Sequence, residues 1–275
     1  MSRVLTIDSK SNPRIKEYRK LKDKKHRREQ NLFLVEGFRL LEEAFKAGLS
    51  VEAVLYDPDK EGDFQRYVQP YLQEEEVIKT SRAVLAELSE TVHPQGIIAV
   101  VKLPLAKELP HTLTPESAMY LYLDGLQDPG NLGTILRSAH AAGAAGVLFG
   151  PGTVDPFGDK VVRSAMGSLF HVPLYLSGLD TLETLVSQGY ALAVTSLEAK
   201  EDLFQADLTG NLIMVIGNEG SGITPAMAKR GDILLKIPMP GGAESLNAAV
   251  AASIILFERV RQLGAKTCTN PPNLL

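Results

Sequence analysis

One arginine on a predicted helix is the residue best suited to act on a phosphate or a ribose oxygen. The segment 124-DGLQDPGNLGTILRSAHAAG-143 predicts a strand end, a turn at residues 128–131 and a helix that begins near Leu132. Asn131 is expected to cap this helix, and Arg137 follows on it. The planar, permanently charged guanidinium of Arg137 suits a phosphate or a developing alkoxide. An ion pair that only stabilises the fold explains an arginine at this place equally well.

A glycine-rich turn after a second predicted strand can let a ligand approach the backbone closely. In 212-LIMVIGNEGSGITPAMA-228 the glycines follow the order G-x-x-G-x-G, which differs from the dinucleotide fingerprint, and no Lys-Ser/Thr pair follows. The pattern therefore disfavours a nicotinamide or ATP site. Glu219 in the turn would repel a pyrophosphate and suits a cationic or hydroxyl-bearing ligand. The alternative is that Glu219 only caps the helix predicted to begin at Thr224 and Pro225.

A third segment, 236-KIPMPGGAESLNAAVAASIILFE-258, leads from a strand end through an irregular loop into a long Ala-rich helix. Ser245 and Asn247 are expected at the start of that helix. Their hydroxyl and amide groups can bind a ligand there, or they can simply cap the helix.

The elements that must position these segments alternate along the chain. Short apolar runs rich in Val, Ile, Leu and Tyr predict buried strands at 53–57, 97–103, 119–124 and 212–217. Helical patterns at 37–48, 132–143 and 245–264 each end at glycine. This alternation is typical of an α/β protein with mainly parallel sheets.

Charge is distributed unevenly along the 275 residues. Residues 1–31 hold 11 Lys/Arg against four Asp/Glu, a formal charge of +7 in a chain whose net charge is −4. Such a basic block suits a polyanion, because neutralising phosphates releases condensed counterions. A solvated helix face is the alternative interpretation of the charge run alone.

Several classes of protein are disfavoured. The single cysteine, Cys268, has no second thiol with which to form a disulfide or a thiolate metal site, and the five histidines lack ligand-like spacing, so we expect no metal. No apolar run approaches the roughly 20 residues that span a bilayer. With no apolar signal core after Met1, we expect a cytoplasmic protein.

Taken together and in this order, the three segments resemble the motifs of the SpoU/TrmH family of RNA 2′-O-methyltransferases. They read D-P-G-N-x-G-x-x-x-R at 128–137, I-G-N-E-G-x-G at 216–222 and I-P-M-x-G-x-x-x-S-L-N at 237–247. The resemblance, strong over 118–262, implies a C-terminal α/β domain whose parallel sheet is tied in a trefoil knot. It also implies that S-adenosylmethionine binds in the knotted loops and that the knot domain forms a homodimer. Periodicity alone would not suggest a knot, because knots are nearly absent from folds.

The N-terminal segments 11–44 and 91–101 are similar, more weakly, to the small α/β RNA-binding domain, related to a ribosomal-protein fold, that precedes the catalytic domain in several family members. We therefore expect an RNA-binding domain at 1–103, a linker at 104–117, a methyltransferase domain at 118–265 and a tail at 266–275. The resemblance assigns the basic block to RNA, with eight candidate contacts: Arg14, Lys16, Arg19, Lys20, Lys24, Lys25, Arg27 and Arg28.

The resemblance also assigns roles to individual residues of the C-terminal domain. Arg137 is the leading catalytic residue. The residues that support it are Asn131, Glu219, Ser245 and Asn247. The residues placed against S-adenosylmethionine are Thr195, Ser196, Gly217, Asn218, Ile237, Ser245 and Leu246.

The expected activity is methyl transfer from S-adenosylmethionine to a ribose 2′-hydroxyl, most consistent with large-subunit (23S) ribosomal RNA. Arg137 is the family's proposed base, but a guanidinium rarely loses its proton. We expect Arg137 instead to bind the adjacent phosphate and stabilise developing alkoxide charge. Transfer RNA as the substrate, a catalytically idle RNA-binding knot protein and a nicotinamide-dependent oxidoreductase remain as alternatives.

Overall fold

The computed structural model describes residues 4–92, 94–104, 117–196 and 199–267, with side chains described as far as residue 264. His93, His111, Cys268, nearly all of the predicted linker and most of the predicted tail lie outside these residues. The chain forms two compact units, one containing the described residues up to 104 and the other most of the remainder. The segment Asp155–His171, which the sequence places in the methyltransferase domain, packs with the first unit.

The first unit is built on a five-stranded mixed sheet. Its strands are β1 (Val4–Thr6), β2 (Leu32–Glu36), β3 (Val51–Tyr56), β4 (Glu76–Lys79) and β5 (Ile97–Lys102), in the spatial order β1-β4-β3-β5-β2. Strands β1, β4 and β3 pair in parallel, whereas β5 pairs antiparallel with both β3 and β2. Among these five strands, β1, β2, β3 and β4 run in the same direction and β5 runs opposite to them. Alternation of strands and helices in the sequence does not specify the direction of each strand.

Helices surround this sheet, and all eight candidate RNA contacts lie on the first two. These helices are α1 (Pro13–Lys20), α2 (Lys24–Gln30), α3 (Phe38–Lys46), α4 (Glu61–Tyr67) and α5 (Arg82–Leu88), together with α7 (Asp159–Ser164) from the segment Asp155–His171. The side chains of Asn12 and Asp23 cap α1 and α2 by accepting hydrogen bonds from their first-turn amides. Strand β2 is buried along its whole length, and Phe38, Leu41 and Ala44 form the buried face of α3.

The second unit contains a seven-stranded, wholly parallel sheet. Its strands are β6 (Met119–Asp124), β7 (Gly146–Phe149), β8 (Leu174–Tyr175), β9 (Ala191–Thr195), β10 (Glu201–Asp202), β11 (Leu212–Gly217) and β12 (Ile233–Lys236), in the order β10-β12-β9-β11-β6-β7-β8. Its helices are α6 (Pro129–Ala141), α8 (Gly178–Ser187), α9 (Pro225–Ala228) and α10 (Ala248–Thr267). The carboxyl ends of β6, β9, β11 and β12 therefore meet at one edge of the sheet, where parallel α/β sheets bind ligands.

The predicted strands at 119–124 and 212–217 are confirmed with the same bounds as β6 and β11. Helix α6 begins three residues earlier than expected, and α10 begins at Ala248. The trefoil knot stays a prediction. Within the described part of the chain, no helix is both long and apolar enough to cross a membrane.

Candidate active site

A cavity of about 380 Å³ lies at the carboxyl ends of β9, β11 and β12, against the start of α10. This volume is in the range of small-molecule sites. Its lining includes all seven residues that the resemblance placed against a cofactor: Thr195, Ser196, Gly217, Asn218, Ile237, Ser245 and Leu246.

The cavity also has lining residues that the sequence did not single out. Lys236 and Glu244 add charged side chains, while Ala248, Ala251 and Ile255 contribute one face of α10. The spacing of the last three, i, i+3 and i+7, marks one helix face, and that signal was available in the sequence. The carboxylates of Glu219 and Glu244 outnumber the ammonium of Lys236, which makes the lining suited to a cation.

The loop after β11 is folded tightly back on itself around Asn218. The backbone of Asn218 exchanges two hydrogen bonds with Gly222, at 2.9 and 3.0 Å. The Asn218 Oδ1 atom accepts from the amides of Gly220 and Ser221, and its Nδ2 donates to the Gly125 carbonyl at 2.8 Å. One side chain therefore shapes the glycine-rich turn and attaches it to the end of β6.

Gly217 is required by this close approach. A Cβ atom built at position 217 would lie 2.4 Å from the Gly222 carbonyl carbon and 2.5 Å from the Ile223 nitrogen, both backbone atoms. Next to it, buried Asp124 at the end of β6 accepts a 2.7 Å hydrogen bond from the Thr224 amide. Thr224 in turn caps α9, which begins with Pro225, as the sequence predicted.

Asn131 does not cap α6, contrary to the expectation from sequence. The cap is Asp128, whose carboxylate accepts from the Asn131 amide at 2.7 Å, and the helix begins at Pro129. Aspartate before proline is a strong start signal because proline is favoured at the first helical position. The Asn131 side chain is thereby left available for other contacts.

These contacts join the three sequence segments. The Asn131 Nδ2 atom donates to Glu219 Oε1 at 3.0 Å, and the Asn131 Oδ1 atom accepts from Asn247 Nδ2 at 2.9 Å. Asn131 comes from the first segment, Glu219 from the second and Asn247 from the third. We call these three residues the motif triad.

Glu219 is held by three donors. Besides Asn131, the amides of Gln127 and Asp128 donate to its two oxygens at 3.1 and 3.0 Å. Burial by itself raises the pKa of the Glu219 carboxyl, but the hydrogen bonds from Asn131, Gln127 and Asp128 outweigh it and lower this pKa below its ordinary value. Glu219 is therefore a carboxylate at neutral pH and an acceptor only.

Asn247 and Ser245 have different positions. The Asn247 Oδ1 atom caps α10 by accepting from the amides of Ala249 and Val250, at 2.9 and 3.3 Å, while its Nδ2 serves the motif triad. The capping interpretation is therefore confirmed for Asn247, and contact of Asn247 with a ligand stays a prediction. Ser245 lies in the exposed loop before the helix and lines the cavity.

Arg137 is exposed on α6 and is not among the residues that line the cavity. Within the described part of the chain it forms no ion pair, so the alternative of a fold-stabilising pair has no support there. Helix α6 also packs on α10 through a 2.7 Å hydrogen bond between Ser138 and Ser253. Among the described residues Arg137 is therefore an unpaired cation, on a helix that both the motif triad and the Ser138 contact hold in place.

The eight candidate RNA contacts of the first unit fall into different environments. Lys16, Lys24 and Arg28 are exposed and, among the described residues, form no ion pair. Four others pair with carboxylates: Arg14 with Glu76, Arg19 with Glu87, Lys20 with Glu17, and Lys25 with Glu29.

Arg27 does not fit the prediction of an RNA contact. It is only 6% exposed, and its guanidinium is bonded to Asp155 and to two backbone carbonyl groups. Four of the five N–H donors of this buried guanidinium are already bonded within the protein, so it is poorly placed to bind a phosphate.

No group of three or more His, Cys, Asp or Glu side chains that could hold a metal ion occurs among residues 4–92, 94–104, 117–196 and 199–267.

Two family matches cover most of the chain. Residues 118–257 match the SpoU rRNA Methylase family, and residues 12–99 match the MRM3-like substrate binding domain. The first match contains all three motif segments, and the second contains the basic helices α1 and α2.

Curated relatives and solved structures agree with these matches. The chain is 35% identical to the 23S rRNA guanosine 2′-O-methyltransferase RlmP of Bacillus subtilis, covering 91% of this chain and 97% of that protein. It is 34% identical to a 23S rRNA uridine 2′-O-methyltransferase of Streptomyces viridochromogenes, covering 87% of this chain and 86% of that protein. The crystal structure of an S-adenosylmethionine-bound rRNA methyltransferase from Sinorhizobium meliloti is similar, with a TM-score of 0.82 at 32% identity over 94% of this chain and 98% of that one.

Proposed function

Because the chain belongs to the SpoU rRNA methylase family, we propose that it transfers a methyl group from S-adenosylmethionine to a ribose 2′-hydroxyl of large-subunit (23S) ribosomal RNA. The observation that carries this proposal is the motif triad, which joins the three motif segments beside the cavity. Neither transfer RNA as the substrate nor an idle RNA-binding protein is favoured, since the relatives are named as 23S rRNA methyltransferases. The glycine-rich turn disfavours a nicotinamide enzyme.

The cavity fits S-adenosylmethionine, which supplies a methyl group already activated on a cationic sulfonium. Ile237 and Leu246 offer apolar contacts, Thr195, Ser196 and Asn218 offer polar atoms, and the excess of carboxylates suits a cation. Gly217 lines the same cavity, and its lack of a side chain leaves room for the Gly222–Ile223 backbone that folds back against it.

The residues of the chain must orient the ribose oxygen and manage its proton. Bound S-adenosylmethionine would supply the methyl carbon for an in-line displacement, in which a carbon–oxygen bond would form as the carbon–sulfur bond broke and the hydroxyl proton was lost. Positioning of the two reactants accounts for much of the acceleration of such displacements. Arg137 binds the phosphate next to the target ribose and stabilises the developing negative charge, and the proton leaves through that phosphate or solvent.

The motif triad has a supporting part in this mechanism. Glu219 accepts only, so it fixes which end of the Asn131 amide faces Asn247, and this holds the amino-terminal turns of α6 and α10 together. Ser245, in the cavity wall, is left to contact the bound reactants.

The first unit binds the RNA. Its match to a substrate binding domain and its exposed Lys16, Lys24 and Arg28 support this role, with Arg14, Arg19, Lys20 and Lys25 as paired cations around them. This proposal also places the enzyme in the cytoplasm, in keeping with the ribosomal RNA substrates in the names of its relatives.

The second unit forms a homodimer through the knotted domain. Helix α10 carries an exposed apolar stripe, with Val250 46% and Phe257 49% exposed and with Val260, 38% exposed, further along the helix. Exposed apolar side chains on one helix are typical of a surface that a protein partner covers. A second copy of α10 is the partner we propose.

The proposal is tested by incubating the purified protein with labelled S-adenosylmethionine and separated, unmodified 23S rRNA, 16S rRNA and transfer RNA. We expect label in 23S rRNA at one nucleotide. Label in transfer RNA alone would show that the substrate is transfer RNA and not 23S rRNA. Cofactor binding without label in any RNA, including partly assembled large subunits, would support an idle protein.

A further inference from the structure

The connection between β7 and β8 is unusual for two neighbouring parallel strands. Such strands are ordinarily joined by a crossover helix that covers their own sheet. Here the chain leaves β7, and residues 155–171 pack into the first unit before the chain returns to β8. We call Asp155–His171 the β7–β8 crossover. It contains the short helix α7 (Asp159–Ser164).

Apolar contacts cover one side of the crossover. The ring of Phe33, fully buried in β2, lies 5.3 Å from the ring of Phe157 and 6.4 Å from that of Phe170. Gly167 lies so close to α3 that a Cβ atom there would be 3.2 Å from the Glu43 Cβ. The crossover is therefore packed on β2 and α3 of the first unit.

An ion pair holds the start of the crossover. Arg27 Nε donates to the Asp155 carboxylate at 3.1 Å, and Arg27 Nη2 donates to the same oxygen. The Nη1 group of Arg27 donates to the carbonyls of Leu21 and Lys22, at 2.8 and 2.7 Å. The two charged side chains are only 7% and 14% exposed, so the pair is shielded from water and salt. Arg27 itself belongs to the basic helix α2, which we propose binds RNA.

We propose that the Arg27–Asp155 ion pair is a positioning element for methyl transfer, since it fastens the β7–β8 crossover of the catalytic chain segment to the RNA-binding unit. The crossover is covalently continuous with two strands of the catalytic sheet. An RNA held by α1 and α2 is then tied through the crossover to the chain that carries the catalytic residues, and an in-line displacement depends on how its reactants are positioned. This inference rests on the proposed function.

The test uses the full-length protein with Asp155→Asn, Arg27→Lys and the double variant. The matched control is Asp57→Asn, since Asp57 is also a buried carboxylate of the first unit but accepts from Arg82, at 2.6 Å. Two properties are measured at a temperature where every variant is folded: hydrogen exchange of the amides at 157–171, and the single-turnover rate of methyl transfer at saturating RNA.

We expect Asp155→Asn to accelerate exchange in the crossover and to lower the transfer rate by about 10- to 100-fold, the effect of a small misplacement of reactants. Arg27→Lys, which keeps the charge but loses the planar fork, should have a smaller effect in the same direction. The double variant should be no slower than Asp155→Asn, because the two residues act through one contact. Asp57→Asn should change neither property, and the affinity for S-adenosylmethionine should stay constant throughout.

The direction in which RNA affinity changes distinguishes a positioning role of the ion pair from a purely electrostatic effect on RNA binding. Removing the negative charge of Asp155 should leave RNA binding unchanged or tighter on electrostatic grounds, so slower transfer with undiminished RNA binding supports the proposal. Faster hydrogen exchange with an unchanged rate of methyl transfer would mean that the ion pair has only a structural role. Unchanged hydrogen exchange would show that the ion pair does not hold the crossover in place. Absence of transfer by the wild type would overturn the proposed function instead, while the exchange comparison would still report on the fastening.

Discussion

Asn131 uses both ends of its side-chain amide within the candidate active site. The orientation of the amide is set by Glu219, which as a carboxylate can only accept, so the Asn131 oxygen must face Asn247. The orientation of the Asn131 amide thus depends on the negative charge of Glu219, which lies in another loop. The ionisation state of the Glu219 carboxyl therefore determines how the Asn131 amide is oriented.

At this scale we predict that Glu219→Gln weakens methyl transfer. The glutamine amide cannot accept from the Gln127 and Asp128 amides and from Asn131 together, and an unsatisfied donor costs about 1–3 kcal/mol. The transfer rate should fall by roughly fivefold to 100-fold. Glu201→Gln, on the exposed edge strand β10, is the control and should behave like the wild type. Equal rates for the two variants would contradict a role for the carboxylate.

The contribution of Glu219 to stability also has a defined dependence on pH. Because its pKa is lower in the folded protein than the ordinary value of 4.5, its stabilisation is fully present above pH 4.5 and is lost as pH falls through the lower folded value. The difference in unfolding free energy between wild type and Glu219→Gln should be constant near neutral pH and should disappear only in acid. A difference that changes between pH 6 and 8 would point to another group.

The residues of the site could be predicted from the sequence, but their hydrogen-bond partners could not. The sequence motifs contain Asn131, Glu219 and Asn247, and the turn before α6 predicts that Asn131 caps this helix. Asp128 caps it instead, because aspartate followed by proline is the stronger helix-start signal. Competition between two adjacent capping residues depends on backbone geometry that a sequence pattern does not specify.

At the scale of elements, the site depends on parallel strands that end together. The loop after β11 turns back at Gly217 and is attached to β6 through Asn218, while α6 and α10 start beside it. Strands β6 and β11 were predicted with the observed bounds because turn or charged residues end each apolar run. The antiparallel pairing of β5 and the packing of the β7–β8 crossover on the first unit were not predictable, since both rest on contacts between distant parts of the chain.

We predict that Gly217→Ala damages the cofactor cavity. The new methyl group would meet backbone atoms 2.4 and 2.5 Å away, so the loop must shift. Overpacking of this kind costs about 1–3 kcal/mol, and the affinity for S-adenosylmethionine should fall by roughly tenfold or more. Calorimetric titration measures it. The control is Gly210→Ala, where no heavy atom lies within 4 Å of the new Cβ; a similar loss of affinity in both variants would contradict the steric explanation.

At the scale of the whole molecule, the protein separates RNA binding from catalysis along its sequence. The basic helices lie in the first unit and the motif segments lie in the second. Binding energy gained far from the reacting atoms is useful only when the reactants are also positioned. We therefore expect substitutions in the chain connections between the units to affect methyl transfer as well.

We predict that the exposed cations of the first unit set the salt dependence of RNA binding. Replacing Lys16, Lys24 and Arg28 by glutamine should lower the slope of log affinity against log salt by about 2 to 3, since each phosphate contact contributes about 0.7 to 0.9. Lys10→Gln is the control because the Lys10 ammonium is already bound to Glu87 at 2.8 Å. An unchanged slope in the triple variant would place the RNA contacts elsewhere.

We also predict that the wild type has a mass of twice 29.8 kDa in sedimentation equilibrium and that the Val250→Glu, Phe257→Glu variant is monomeric. Two carboxylates on the apolar stripe of α10 would have to be buried in the interface, which is costly. Leu234→Glu, at an equally exposed apolar residue on β12, should leave the dimer intact. A monomeric wild type would refute the proposed interface.

The central claim, that Arg137 assists methyl transfer to a ribose oxygen, is tested most directly by alkaline hydrolysis of RNA labelled by the wild type, Arg137→Ala and Arg137→Lys. A 2′-O-methyl group removes the hydroxyl that attacks the neighbouring phosphodiester, so the label should remain in an alkali-resistant dinucleotide. We expect this product from the wild type. We expect a rate about 100- to 1,000-fold lower from Arg137→Ala, as for the loss of one transition-state donor, and little recovery with lysine, while all three proteins bind S-adenosylmethionine equally well. Label released as a methylated mononucleotide, or near-normal transfer by Arg137→Lys, would contradict the account.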